Sequence, residues 1–163
     1  MSINLNIVRA DYSDSKHAID IVTLMDDYAC DPMGGGEPLS SYSRKYLVAG
    51  LAKTTGAVTF LAYKNHQPVG IATAIPGFST FAAKPLLNIH DLAVIESCRG
   101  SGVSQLLLAG IERLAIERDC CKVTLEVLEG NLAARQAYEK FGFSAYILKS
   151  SMGNAMFLQK IIS

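Results

Sequence analysis

The chain has no excess of charge of either sign: 15 Lys and Arg stand against 15 Asp and Glu, for a formal net charge of zero. A nucleic-acid binder normally carries a basic surplus or stripe, and none occurs here, so nucleic acid is not an expected partner. Long apolar runs are missing as well. The densest, Leu106 to Ile111, is stopped by Glu112, well short of the ~18 residues that cross a bilayer. The opening Met1-Ser2-Ile3-Asn4-Leu5-Asn6 lacks the basic stretch and apolar core of a secretory signal, so a cytoplasmic protein with no membrane partner is expected. Cysteine is sparse and badly spaced for metal. Cys30, Cys98 and the adjacent Cys120-Cys121 form no C-x-x-C, and neighbouring thiols grip one tetrahedral zinc ion poorly, which favours free thiols and no metal site. Repeats, low-complexity tracts and linkers are also absent. Residues 1–163 therefore read as one domain, able to bury roughly 70% of the surface its unfolded chain exposes.

What is present is an ordinary globular composition, 50% apolar and 18% charged. Leu5 to Arg9 leans towards strand. Ile21, Leu24, Met25 and Tyr28 then recur at i, i+3, i+4 and i+7, predicting a helix from about Ser13. Asp31 to Pro38, with three glycines and two prolines, defeats both helix and ladder, and a second helix is predicted over Leu39–Leu51. Val58–Tyr63 and Val69–Ala74 read as a hairpin turning at Asn65-His66-Gln67-Pro68. An irregular stretch from Pro76 to Pro85 precedes a strand over Leu87–Ile95. Val103, Leu106, Leu107, Gly110, Ile111 and Leu114 share one helix face. Val123–Val127 reads as a strand, Asn131 as the N-cap of a helix ending near Phe141, and Gly142 as its C′ residue. Phe143–Leu148 and Ala155–Ile162 are predicted as closing strands. The order is β-α-α-β-β-β-α-β-α-β-β, an α/β (α+β) fold with a mostly antiparallel sheet flanked by helices.

The strongest local signal is the strand-to-helix junction Arg99-Gly100-Ser101-Gly102-Val103-Ser104. Glycines there let backbone N–H groups converge on an anion, and a helix N-terminus leaves unpaired donors and a favourable dipole. The hydroxyls of Ser101 and Ser104 are candidate extra donors. A P-loop would need Gly-Lys-Ser/Thr, which is missing. A dinucleotide fingerprint would want a third glycine near Gln105 and an early strand. A tight turn that binds nothing is the remaining alternative.

Arg99-x-x-Gly102-x-Ser104, preceded by Ile89-His90-Asp91-Leu92-Ala93-Val94, resembles the Gln/Arg-x-x-Gly-x-Gly/Ala signature of the GNAT acetyltransferases. Ser104 departs from the usual Gly or Ala, but it is small enough to keep the backbone approach. Asn131-x-x-Ala134-x-x-x-Tyr138-Glu139-Lys140-x-Gly142-Phe143 resembles the family's second motif, in matching order. The resemblance, to small-amine members in particular, implies acetyl-CoA as cofactor and transfer of its acetyl group to a primary amine by direct attack in a ternary complex. It implies a V-shaped opening where the Leu87–Val94 and Val123–Val127 strands part. Pantetheine would there bond to backbone around Leu92, Ala93 and Val94, and its pyrophosphate would meet the N–H groups of Gly100, Ser101, Gly102, Val103, Ser104 and Gln105. Asn131 would cap its helix and reach towards the pantetheine arm.

The resemblance further implies an oxyanion-stabilising N–H near Val94. Tyr138 becomes the general acid for the departing thiolate, its alternative being a core aromatic packed beside Phe141. His90 stands where a Glu is often found in small-amine relatives, so it is the candidate base; a structural histidine is the alternative. In an unbulged strand Asp91 would point to the opposite face, so His90 and Asp91 are not expected to act as one dyad. The Asp31–Leu39 segment is expected to govern acceptor choice, with Asp31 and Glu37 receiving an amine, or else to be only a glycine-rich lid. Gly77–Phe81 would wall the same site. A small-molecule amine is preferred over a protein acceptor. The apolar Met156-Phe157-Leu158 and Ile161-Ile162 suit either a homodimer, since many relatives pair through late strands, or a sheet core. A non-catalytic acyl-CoA sensor of the same fold and a nucleotide-binding protein are the competing functional readings.

Overall fold

The computed structural model describes residues 4–162, so Met1, Ser2 and Ile3 of the opening segment lie outside the described residues, as does Ser163. The chain falls into two compact units, one ending at Leu125 and the other beginning at Glu126. The first contains β1 (Leu5–Arg9), α1 (Ser15–Cys30), α2 (Ser41–Lys53), β2 (Val58–Lys64), β3 (Gln67–Ser79), β4 (Lys84–Val94), α3 (Val103–Glu117) and β5 (Val123–Leu125). The strands form one sheet in the order β1-β2-β3-β4-β5, antiparallel throughout except for the parallel β4–β5 pair.

Alternation along β3 separates two apolar layers. Ile71 is fully buried with Leu61 of β2 against Ile21 and Leu24 of α1. Its neighbour Gly70 points the other way, where a Cβ would come within 2.9 Å of Val103 and 3.2 Å of Leu107 on α3. The sheet is thus sandwiched between α1 and α3. Asp14 caps α1 by accepting from the His17 N–H at 2.9 Å, and Ser40 caps α2 by accepting from Ser43 N at 3.0 Å. Within the α1 layer the buried Asp20 accepts hydrogen bonds from the Tyr63 hydroxyl and from Lys16. Burial, then the adjacent Asp20 carboxylate, pushes the Tyr63 phenol up to about 12.

Two expectations are corrected. Pro76 to Pro85 is not irregular: β3 and β4 continue as a hairpin whose last pair is Ser79–Lys84. Proline is tolerated there because β3 outruns β2 beyond the Val58–Ala74 pair, so Pro76 faces a sheet edge. The closing strands are also not formed. In the second unit, α4 (Leu132–Phe141) is followed, among the described residues, by chain with no strand and a single 3₁₀ turn, Ser150–Met152. Strand pattern alone does not make a strand, because each backbone group needs a partner ladder. The predicted caps of α4 are present: Asn131 accepts from Ala134 N at 3.2 Å, and Gly142 sits at φ 110°.

The β2–β3 turn consists of Asn65 and His66, at φ 50° and 67°, the left-handed pair of a tight hairpin turn. Glycine meets that requirement at the second position without the steric cost a histidine carries there. His66→Gly is therefore expected to stabilise the fold by up to about 1 kcal/mol and raise the melting temperature by about 2–4 °C. A lower melting temperature in a thermal melt would contradict this view of the turn.

Candidate active site

The site grows from an irregularity in β4. Thr73 of β3 pairs with Asp91, but Ala74 pairs with Ile89, leaving His90 as the extra residue of a β-bulge. In a regular strand Ile89 and Asp91 would share a face. Here Ile89 follows Ala74, while Asp91 follows Thr73 to the α1 side of the sheet. The unbulged strand assumed from sequence is thus corrected: the bulge delivers Asp91 to the α1 side and leaves His90 exposed. Asp91 is half-buried, and burial raises its carboxyl above its usual 3.8, against a smaller lowering by His90.

Tyr28, on α1, belongs to the same neighbourhood. Burial raises its phenol above the usual range, helped by the charges of Asp91 and then Asp31. Asp31 begins the α1–α2 connection and is fully engaged. Its Oδ1 accepts from Met33 N at 2.8 Å and its Oδ2 from Arg99 Nη2 at 2.7 Å, and these contacts, the Met33 N–H first, hold its carboxyl below the usual range. Gly34 N and Gly36 N donate to the Asp31 carbonyl at 2.8 and 3.0 Å. The glycine-rich segment is therefore a turn organised around Asp31. Glu37 sits exposed in that segment.

The β4–β5 ladder runs Leu87–Val123, Asn88–Thr124 and Ile89–Leu125 and stops there. Within the first unit, Leu92, Ala93 and Val94 carry no ladder on that side, while their other side pairs with β3. Just beyond, Gly100 and Gly102 take φ 73° and 89°, and no heavy atom lies within 4 Å of a Cβ built at either. Their role is backbone direction, with open space above them. Gly102 is the N-cap of α3 and supplies no side chain, so the N–H groups of Val103, Ser104 and Gln105 enter the helix without a side-chain cap. This cradle suits a diphosphate by its donors and its openness.

Two side chains of the loop turn elsewhere. The Ser101 hydroxyl donates to the Cys98 carbonyl at 2.6 Å, so its hydrogen is already used inside the loop. Arg99 reaches back, with Nε on the Val94 carbonyl at 3.1 Å and Nη2 on Asp31. It ties the end of β4 to the end of α1, a pairing across 68 residues that no local motif signals. In the second unit Tyr138 is 9% exposed and packs edge-on against Phe143, ring centroids 6.0 Å apart, so Phe143 takes the place expected for Phe141. Sequence reasoning passed over Tyr28, read only as a helix-face residue, and Asp91, read as facing away. An acidic residue next to the candidate base was the available signal for the second.

The first unit is thus a layered α/β body in which the uncapped N-terminus of α3 lies just beyond a strand stretch with no β5 ladder, an arrangement chemically suited to an anion. The comparisons are more specific. The profile of the acetyltransferase (GNAT) family matches residues 21–143, most of the chain and both units. The chain belongs to the GNAT acetyltransferase family and is an acetyl-CoA-dependent N-acetyltransferase. Among solved structures it is similar to a probable acetyltransferase, at 22% identity and TM-score 0.79 over 97% of this chain and 99% of that one. It is also similar to an aminoglycoside acetyltransferase from an uncultured soil metagenomic sample in complex with trehalose, at 20% identity and TM-score 0.74 over 97% of each chain. A third similar structure is the aminoglycoside N-acetyltransferase AAC(6')-Iy in complex with CoA, at 15% identity and TM-score 0.76 over 98% of this chain and 97% of that one. At such identities the likenesses establish the fold. Among the described residues no helix is long and apolar enough to cross a membrane.

The raised Asp91 carboxyl has a stability consequence. Between the usual 3.8 and its higher folded value, the folded chain keeps a proton that the unfolded chain has released, so stability falls as pH rises through that window. Asp91→Asn removes this cost. Its melting temperature should exceed that of the parent at neutral pH, with the gain shrinking to nothing as pH falls below about 4. A gain independent of pH would contradict this assignment.

Proposed function

We propose that the chain transfers an acetyl group to the primary amine of a small molecule by direct attack in a ternary complex, with Tyr138 as general acid. The observation that carries the reading is the uncapped N-terminus of α3, opened by Gly100 and Gly102, next to the unladdered stretch Leu92–Val94. In this reading the N–H groups from Gly100 to Gln105 hold the diphosphate, backbone of Leu92, Ala93 and Val94 holds the pantetheine arm, and Asn131 adds a contact to that arm. Acetyl-CoA supplies an activated thioester carbonyl.

The chain's own groups then manage charge. An amine of pKa ≈ 10.4 is neutral in only about one molecule in ~10³ at pH 7, so a proton acceptor is needed. His90, exposed at the bulge, is one candidate; the burial-raised carboxyl of Asp91 on the α1 side supports a second. A backbone N–H near Val94 stabilises the developing oxyanion, a contribution of roughly 3–4 kcal/mol for one such donor. The Tyr138 phenol gives its proton to the departing sulfur. Glu37 supplies negative charge for a cationic acceptor, while the Asp31 carboxylate, already paired with Arg99 and the Met33 N–H, holds the α1–α2 turn. The aminoglycoside acetyltransferases among the similar structures support a small amine over a protein acceptor. The same reading takes residues 1–163 as one N-acetyltransferase domain and the protein as a cytoplasmic homodimer.

The test is incubation with acetyl-CoA and a panel of polyamines, aminoglycosides and lysine peptides, read by free thiol and by product mass. Turnover on small amines is expected. Tyr138→Phe should cut kcat by about 10²–10⁴ with coenzyme binding retained. Binding without turnover on any acceptor would favour a non-catalytic acyl-CoA sensor. Separately, CoA at 100 times its Kd should stabilise the chain by ~2.7 kcal/mol, a shift that Gly102→Val should abolish because a β-branched residue resists φ 89°. Normal CoA binding by that variant would remove the loop from the site.

A further inference from the structure

We propose that a row of three hydroxyls, on Tyr12, Thr59 and Thr73, joins the Asp91 carboxyl to an open cavity and carries the amine proton out of the site. The inference rests on the reading of Asp91 as proton acceptor for the attacking amine. Its basis is a line of polar groups in a layer that is otherwise largely apolar. Thr59 of β2 and Thr73 of β3 are 0% and 1% exposed. They pair across the β2–β3 ladder, and their hydroxyls are 3.0 Å apart. The Tyr12 hydroxyl lies 3.0 Å from that of Thr59. On the other side Thr73 pairs with Asp91, in the register that the bulge at His90 creates. Side chains directly opposite one another have Cβ atoms about 4.5–5.5 Å apart, within reach of a hydrogen bond or of one intervening water. Valine would fill either threonine site with no polar group to bury, so the two hydroxyls are what calls for an explanation.

Such a row conducts because it can point in two directions. Its three oxygens hold three protons, and the two bonds between them use two, so the third is donated at one end. With Asp91 ionised the row runs from Tyr12 through Thr59 and Thr73 to the carboxylate. With Asp91 protonated it runs the other way, and Tyr12 donates outward. Tyr12 lines a cavity of about 820 Å³ between the end of β1 and the α2–β2 turn, beside Asp11, Thr54 and Val58. Transfer along the row balances. The amine N–H bond breaks and an O–H bond forms on Asp91. Each hydroxyl gains one proton as it gives one up, and Tyr12 releases one to solvent in the cavity. No electron is transferred, and the row stays neutral. The burial that raises the Asp91 carboxyl agrees with this role, since a weaker acid is a better acceptor for the amine proton. The other titratable groups near Asp91, which are His90 beside it and Tyr28 of α1 with Asp31, lie outside the row.

Two measurements on the full chain test the row. The first needs no turnover: the Asp91 carboxyl is titrated by carbon NMR in labelled protein. Thr73→Val removes a donor from the carboxylate, so the midpoint should rise by about half a pH unit or more, as it should in the Thr59→Val/Thr73→Val double variant. The double variant leaves no lone threonine hydroxyl in the row, and it serves where a single variant fails to fold. Thr73→Ser should restore the parent midpoint. Tyr63→Phe, whose hydroxyl bonds Asp20 in the same layer, should not move it. The second measurement is turnover of a small amine in mixtures of H2O and D2O. The parent should show a curved dependence, from several protons in flight. Tyr12→Phe should show a linear one, with kcat lowered roughly tenfold and KM unchanged. A midpoint unmoved by Thr73→Val and by the double variant would overturn the proposal. So would a parent-like kcat and isotope dependence in Tyr12→Phe, the behaviour of a row that only braces the sheet. A parent chain that turns over no amine would defeat the acetyl-transfer reading and this inference with it, a result distinct from active variants indifferent to the row.

Discussion

At His90 the fourth strand holds one residue more than its antiparallel partner, and much of the site depends on that surplus. A bulge leaves the extra residue unpaired, bends the strand and changes which side chains face which layer. Before it, Leu87 and Ile89 pack into the sheet and pair with β5; after it, Asp91 and Ala93 belong to the α1 layer and the β5 ladder has ended. One added residue thus accounts for the half-buried carboxyl on the α1 side, and the β5 ladder ends just before it.

The α3 loop obeys a different constraint. Its glycines are not there to make room, since nothing crowds them, but to turn the chain through left-handed conformations that other residues rarely adopt. The side chains around them mostly serve the scaffold: Ser101 closes the loop on Cys98, and Arg99 braces the end of β4 against Asp31. A turn built on main-chain geometry tolerates such diversion, because its backbone N–H groups belong to every residue type except proline.

Covalent neighbours set much of this architecture. The helix faces of α1 and α3, the Asn131 cap, the Gly142 terminator and the glycine pair of the loop were legible in the residues, because each rests on interactions within a few positions. For the same reason the motif spacing from Arg99 to Phe143 was enough to identify the family resemblance that the profile match over residues 21–143 bears out.

What only the tertiary structure decided involves partners far apart in the chain. The bulge exists only as a mismatch between β3 and β4, the Arg99–Asp31 pair joins residues 68 positions apart, and Pro76 can stand in a strand only because β2 ends where it does. The tail makes the same point in reverse. Its residues have the composition of strands, yet a strand is a relation between two segments, and the segment that would complete this one is not supplied by local sequence.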